Sequence, residues 1–279
     1  MAPPQPLQDQ LSSLLQTRHH LPVHPRWLSE FLSTRGPNPP PMPALLSTAH
    51  FRILTSDITT SLRPTNSAEV LPADISDITV KERRLAGPVI TQVLDVIDVG
   101  SSKWSQVEAI ERVERGEEVR GREVIRTVDD GNDEDAVSAA PAPAARATTT
   151  SNTRSTATAT SLGPHKLLLQ DAKGTKVLAF EVVKVPGIGV STAASASASV
   201  SAQQQQQGSN RSMVEDPGMA IGCKILLKPG TVVRRGMVML KPEDCVVIGG
   251  KVDAWDRKWK EERKKNLTML LNRENGIVG

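Results

Sequence analysis

The chain contains no tyrosine. That excludes a tyrosine nucleophile, and with it the DNA transesterification performed by topoisomerases and tyrosine recombinases. Aromatics of all kinds make up 3% of the residues, with four Trp and three Phe, so flat platforms for stacking bases are scarce. Cysteine is nearly absent. Cys223 and Cys245 form no CxxC pair for zinc and cannot build a disulfide framework, which points to an intracellular protein. No apolar run is long enough to span a bilayer, and MAPPQPLQDQ lacks a basic stretch followed by an apolar one, so no signal peptide is expected. A strong charge surplus is missing too. A net charge of +3 is not the balance of a protein that depends on phosphate contacts alone. Hydrophobic residues reach only 38% of the 279, which implies that part of the chain does not fold into a core.

Catalytic patterns are equally thin. No GxSxG elbow is present, and Gly187-Ile188-Gly189 lacks the downstream residues of a phosphate loop. His19, His20 and His24 surround Pro22 and precede Pro25, so the helical i, i+4 pair a metal would use is broken, and they read as surface residues. The carboxylates of Asp129 to Asp135 lie in low-complexity text, where no acid–base geometry can be held. We therefore expect no enzyme, no cofactor and no metal.

What is present divides into three parts. Residues 1–85 read as a small three-helix bundle. Leu7, Leu11, Leu14 and Leu15 have helical spacing, Pro25 opens a helix bearing Trp27, Leu28, Phe31 and Leu32, and Leu45 to Leu54 follows a break with five prolines between Gly36 and Pro43. Residues 86–253 are strand text. Val89 to Val99 is β-branched and aliphatic. Lys166–Gln170 and Lys176–Lys184 flank the turn Asp171-Ala172-Lys173-Gly174 as a hairpin. Gly222–Leu227, Gly236–Leu240 and Cys245–Ile248 follow. We assign this set to a five-stranded Greek-key barrel of OB type, in an α+β chain. The first strand is followed by an insertion at about 100–163, whose first part mixes charges around Trp104, Val107 and Ile110 at near-helical spacing. Its second part is an Ala/Thr/Ser/Pro tract. A second low-complexity tract covers about 191–212 and includes Gln203 to Gln207. Neither tract can supply a core. Residues 254–279 form a C-terminal helix with an interrupted stripe of Trp255, Trp259, Leu267, Leu270 and Leu271. Between Lys251 and Arg273 it carries eight Lys/Arg against four Asp/Glu.

An OB barrel raises single-stranded nucleic acid as a ligand, held largely by base stacking. Phe180 is the one aromatic in the strands. A protein partner is therefore the primary reading, DNA contact is expected to be weak or indirect, and a stand-alone single-stranded DNA-binding protein is the alternative.

These residues resemble the RecQ-mediated genome instability protein 1 family, in a short, fungal-like form. Leu85 to Val99 is similar to the family's first barrel strand, Ser101 to Gln106 to the start of its insertion, and Leu167 to Gly174 to its second strand and turn. The most specific stretch is Gly236 to Ala254, a strand, a Lys-Pro-Glu turn, a second strand and a double glycine. Pro217-Gly218 and Gly222 to Leu227 extend it, and residues 20–60 resemble the family's helical domain more loosely. The tract at 191–212 is longer than the family needs. The resemblance implies a nuclear scaffold without a catalytic centre that joins a type IA topoisomerase (topoisomerase III) and a RecQ-family helicase. It implies a role in double Holliday junction dissolution and decatenation, with the insertion reaching the topoisomerase gate. On that basis Asp98, Ser102, Lys103, Trp104, Gln106, Val107 and Ile110 at the insertion root, with Lys241 and Glu243 in the late turn, are the expected topoisomerase contacts.

Overall fold

The computed structural model describes residues 7–35, 39–115, 161, 163–190 and 218–274. The acidic run Asp129–Asp135, most of the Ala/Thr/Ser/Pro tract and the glutamine tract lie outside them.

The N-terminal third is helical. α1 (Leu7–His19), α2 (Pro25–Ser33) and α3 (Met42–Leu54) are followed by one turn, α4 (Ile58–Ser61). Each start has a local cause. Pro25 stands in the first turn of α2, where its missing N–H costs nothing, and His24 Nδ1 accepts the Arg26 N–H at 3.1 Å. Asp57 caps α4 through the Thr59 N–H. Leu11, Leu15, Leu28, Phe31, Leu45 and Ile53 close the bundle. The three early histidines do not converge: His24 caps α2, and His19 stacks instead on His50, ring centroids 4.0 Å apart.

The remaining strands form one sheet. In chain order they are β1 (Arg83–Arg84), β2 (Val89–Asp98), β3 (His165–Asp171), β4 (Lys176–Glu181), β5 (Lys224–Leu227), β6 (Val232–Arg234), β7 (Met237–Leu240) and β8 (Cys245–Gly249), with helix α5 (Lys103–Glu114) after β2 and α6 (Asp253–Glu274) at the end. Their spatial order is β1-β6-β7-β4-β3-β2-β5-β8. Every pair is antiparallel except β4 with β7, which is parallel. The sheet has eight strands rather than the five expected for the barrel: the six strand segments read from the sequence all form, and two short strands join them. The additions β1 and β6 are two and three residues long and rich in arginine, too short to show alternation. Inward residues such as Val93, Leu167, Leu169, Val177, Ala179, Ile225, Val238 and Leu240 fill one interior, as in small barrels generally. Leu71, Ile75 and Leu85 pack into the same core, so the link from the bundle is part of the barrel wall.

β2 is apolar on consecutive residues because it is covered on both faces. Val89 and Val93 face the barrel, while Ile90 joins the helical core. The seam is also polar. The Gln92 amide accepts the Ile58 N–H and donates to Asp57 and Gln170. Fully buried Lys224 donates to the carbonyls of Ser56 and Gly222, both at 2.7 Å, tying barrel to bundle.

That ammonium has a measurable signature. Burial pulls the Lys224 pKa down to about 8, against the opposing pull of Cys223 and Asp57. Below pH 8 both states carry the proton and the native state bears the full cost of burying charge. Between pH 8 and 10.5 the unfolded chain binds a proton the native state does not, so stability rises with pH; above that range the effect is constant. Comparing urea unfolding at pH 7 and 10.5, wild type should gain about 3 kcal/mol relative to Lys224→Met. An identical pH response in both proteins would refute the assignment.

Candidate partner interface

Three segments meet at one rim of the barrel. Asp98 closes β2 and pairs with His165 at the start of β3, and Lys166 pairs with Phe180 in β4. Glu181, the last residue of β4, lies beside Leu240, the last of β7, and Lys241 follows. The insertion root and the Lys241–Glu243 turn, more than 130 residues apart in sequence, therefore leave the same end of the sheet. Three strand steps separate them, roughly 14 Å.

The root is shaped by its own side chains. Asp98 Oδ1 accepts the N–H groups of Gly100 and Ser101 at 2.9 and 3.2 Å, reversing the chain. Ser102 Oγ accepts the Ser105 N–H at 3.0 Å and so caps α5. Gln106 Nε2 reaches back to the carbonyls of Asp98 and Ser101, each at 3.0 Å. Asp98 and Gln106 are buried, and these three side chains set the angle at which α5 departs.

α5 then packs against α6, which sequence reading treats as a separate appendage. Lys103 pairs with Glu274, and Lys264 pairs with Glu111 and Glu114, so the two helices run antiparallel. Val107 is buried and Ile110 half-buried. Trp104 is 68% exposed beside a shallow cleft of about 210 Å³ shared with Val107, Glu108 and Leu271. α6 is itself held on the barrel. Trp255 and Trp259 pack against the core, and the Trp259 indole N–H donates to Asp95 at 2.7 Å. The Asp256 carboxylate, in the first turn of α6, accepts the Ile221 N–H and pairs with Lys260. Arg263 lies over Trp259, and burial pulls its pKa down against the pull of Asp98 and Asp95.

Of the expected contacts, the structure gathers Asp98, Ser102, Lys103, Trp104, Gln106, Val107 and Ile110 at one root. It sets Lys241 and Glu243 across the rim, 3.7 Å from each other. Trp104 is the large apolar side chain among them that is open to a partner.

Sequence reading misses the polar chain in the middle of this rim. His165 and Glu181 are both buried, with His165 Nδ1 2.6 Å from Glu181 Oε2. The same carboxylate accepts the N–H groups of His165 and Val185. On the other side His165 Nε2 lies 2.7 Å from Ser161 Oγ, which accepts the Val190 N–H, while Ser161 N–H donates to the Val190 carbonyl. One consistent set of donors runs Val190 to Ser161 to His165 Nε2, with Nδ1–H donating to Glu181. The order Ser–His–carboxylate also activates nucleophiles. Here the hydroxyl pins Val190, and the result is a clamp that brings the end of the insertion and the start of the second tract together. The available signal was parity: His165 and Glu181 occupy inward positions on paired strands, where sequence alternation calls for apolar residues. Among the described residues no group of three or more His, Cys, Asp or Glu could hold a metal, and no helix is long and apolar enough to cross a membrane.

Comparison with known proteins points one way. A family model described as "RMI1, N-terminal OB-fold domain" matches residues 71–195 and 209–263, and one described as "RMI1, N-terminal helical domain" matches residues 14–61. The chain is also similar to the RecQ-mediated genome instability protein 1 of Schizosaccharomyces pombe, 22% identical over 217 residues, spanning 76% of this chain and 74% of that protein.

Proposed function

The chain belongs to the RecQ-mediated genome instability protein 1 family, and from that premise we propose that it is a nuclear, non-catalytic scaffold that joins a type IA topoisomerase to a RecQ-family helicase. The observation that carries this reading is the α5 root: a helix fixed to a rigid barrel rim by Asp98, Ser102 and Gln106, presenting an exposed Trp104 at its start. Tryptophan on a rigid element is the kind of anchor that dominates protein interfaces. The chain brings no tyrosine, so strand cleavage belongs to the partner. Its own contribution is differential binding. A segment held at a fixed angle that fits an open gate better than a closed one shifts the partner's equilibrium towards opening. Opening favours decatenation and double Holliday junction dissolution, which need a strand to pass, over simple relaxation.

The test is purification of the tagged full chain from nuclear extract. A type IA topoisomerase and a RecQ helicase should both be recovered at high salt and after nuclease treatment. Recovery of neither, with tight binding of the purified chain to short oligonucleotides, would favour the stand-alone DNA-binding alternative.

A further inference from the structure

The outer wall of the barrel departs from the pattern of a solvated sheet. An antiparallel sheet with one wet face alternates apolar inward with polar outward. On β4 the outward positions are Leu178 and Phe180, and the next residue in that phase is Val182; on β7 they are Met237 and Met239, and on β3 Leu168. Strand register sets them side by side: Leu168 opposite Leu178, Leu178 beside Met237, and Phe180 beside Met239. Neighbours at this spacing touch, so the six form one apolar surface. Leu178 and Val182 are 38% and 48% exposed, and the other four are half-buried.

The charges at the outward positions of β3 and β4 have one sign, and the Asp95 carboxylate of β2, which stands opposite Leu168 at the edge of the wall, is engaged by the Trp259 indole N–H. Lys166 faces outward opposite Phe180, and Lys176 opposite Gln170. Among the described residues neither has an ion pair. An aliphatic surface flanked by unpaired ammonium groups is complementary to an aliphatic segment flanked by carboxylates. It fits a strand of bases poorly, since Phe180 is its one ring and single-stranded ligands are held by stacking on several. It fits a second copy of itself poorly as well, because facing copies would bring like charges together.

We propose that the outer face of β3, β4 and β7 docks an aliphatic, acidic segment of the RecQ-family helicase, a surface distinct from the Trp104 root that faces the topoisomerase. This rests on the scaffold reading above. It assigns each partner its own wall: the α5 root and rim for one, the barrel side for the other. Methionine side chains suit the role because they adapt to irregular apolar partners.

The test uses the full chain with three purified probes: the topoisomerase, the helicase and an oligo-dT strand. Leu178→Glu with Val182→Glu changes outward side chains only, and circular dichroism and melting temperature report whether the barrel survives. The double variant should lose helicase binding by at least about tenfold while topoisomerase binding stays at the wild-type level. Lys166→Glu, a milder change, should weaken helicase binding and reduce its salt dependence; it serves alone if the double variant fails to fold. Unchanged helicase binding in a folded variant overturns the proposal, as does a loss confined to topoisomerase or to oligo-dT. Self-association of wild type that the double variant abolishes overturns it in favour of a dimer face. If wild type binds neither protein, the scaffold reading itself fails, which is a different result from loss of one partner.

Discussion

Glu181→Ala is expected to lower the folding free energy by about 3 kcal/mol or more, because it leaves three buried N–H donors unpaired at about 1–3 kcal/mol each. The carboxylate is fully enclosed and accepts three hydrogen bonds, from the main chain of His165 and Val185 and from the His165 ring. Alanine leaves all three donors without a partner inside the barrel end, where water does not replace the carboxylate. Domains of this size are stable by about 5–15 kcal/mol, so the variant sits near the threshold of folding. Glu181→Gln keeps the shape but must turn its NH2 group towards either the His165 or the Val185 N–H, and should fall between wild type and Glu181→Ala. His165→Ala removes one of the three donors and costs less than Glu181→Ala. Urea unfolding of the three variants checks the ranking. A Glu181→Ala protein within 1 kcal/mol of wild type would show that the clamp does not hold the rim, on the scale of a typical hydrogen bond.

The second large effect is on binding. Trp104→Ala should weaken capture of the topoisomerase by roughly 30-fold or more, the range of an interface hot spot. Its exposed ring contributes little to the fold, while Val107 and the Lys103–Glu274 and Lys264–Glu111 pairs keep α5 on α6. The circular dichroism spectrum and melting temperature should therefore stay at wild-type values. A variant that melts early would mean that Trp104 packs as part of the α5–α6 pair. Full capture by a normally folded variant would remove the ring from the interface and leave the rim turn at Lys241 and Glu243 as the remaining candidate.

Much of this molecule is readable from the residues alone, because the signals are local. Runs of aliphatic and β-branched residues around a turn at Asp171–Gly174 call for strands at Val89–Val99, Lys166–Gln170 and Lys176–Lys184; the first two form to within a residue at either end, and the third stops at Glu181, three residues short. The helical start at Pro25 follows from one residue's fixed backbone angle. The absence of tyrosine rules out one chemistry without reference to any fold.

Tertiary structure decided what depends on pairing across long separations. Whether an inward polar residue is tolerated depends on what stands opposite it, and only the β3–β4 register brings His165 to Glu181 and both to Ser161. The charges of α5 read as a mixed-charge insertion around a thin apolar stripe until α6 arrives 150 residues later to pair with Glu114. Lys241 joins the rim of Asp98 only through the parallel step from β4 to β7. Periodicity along a chain records which side of a strand is covered. It does not record by whom, because the covering surface comes from residues that no local window contains.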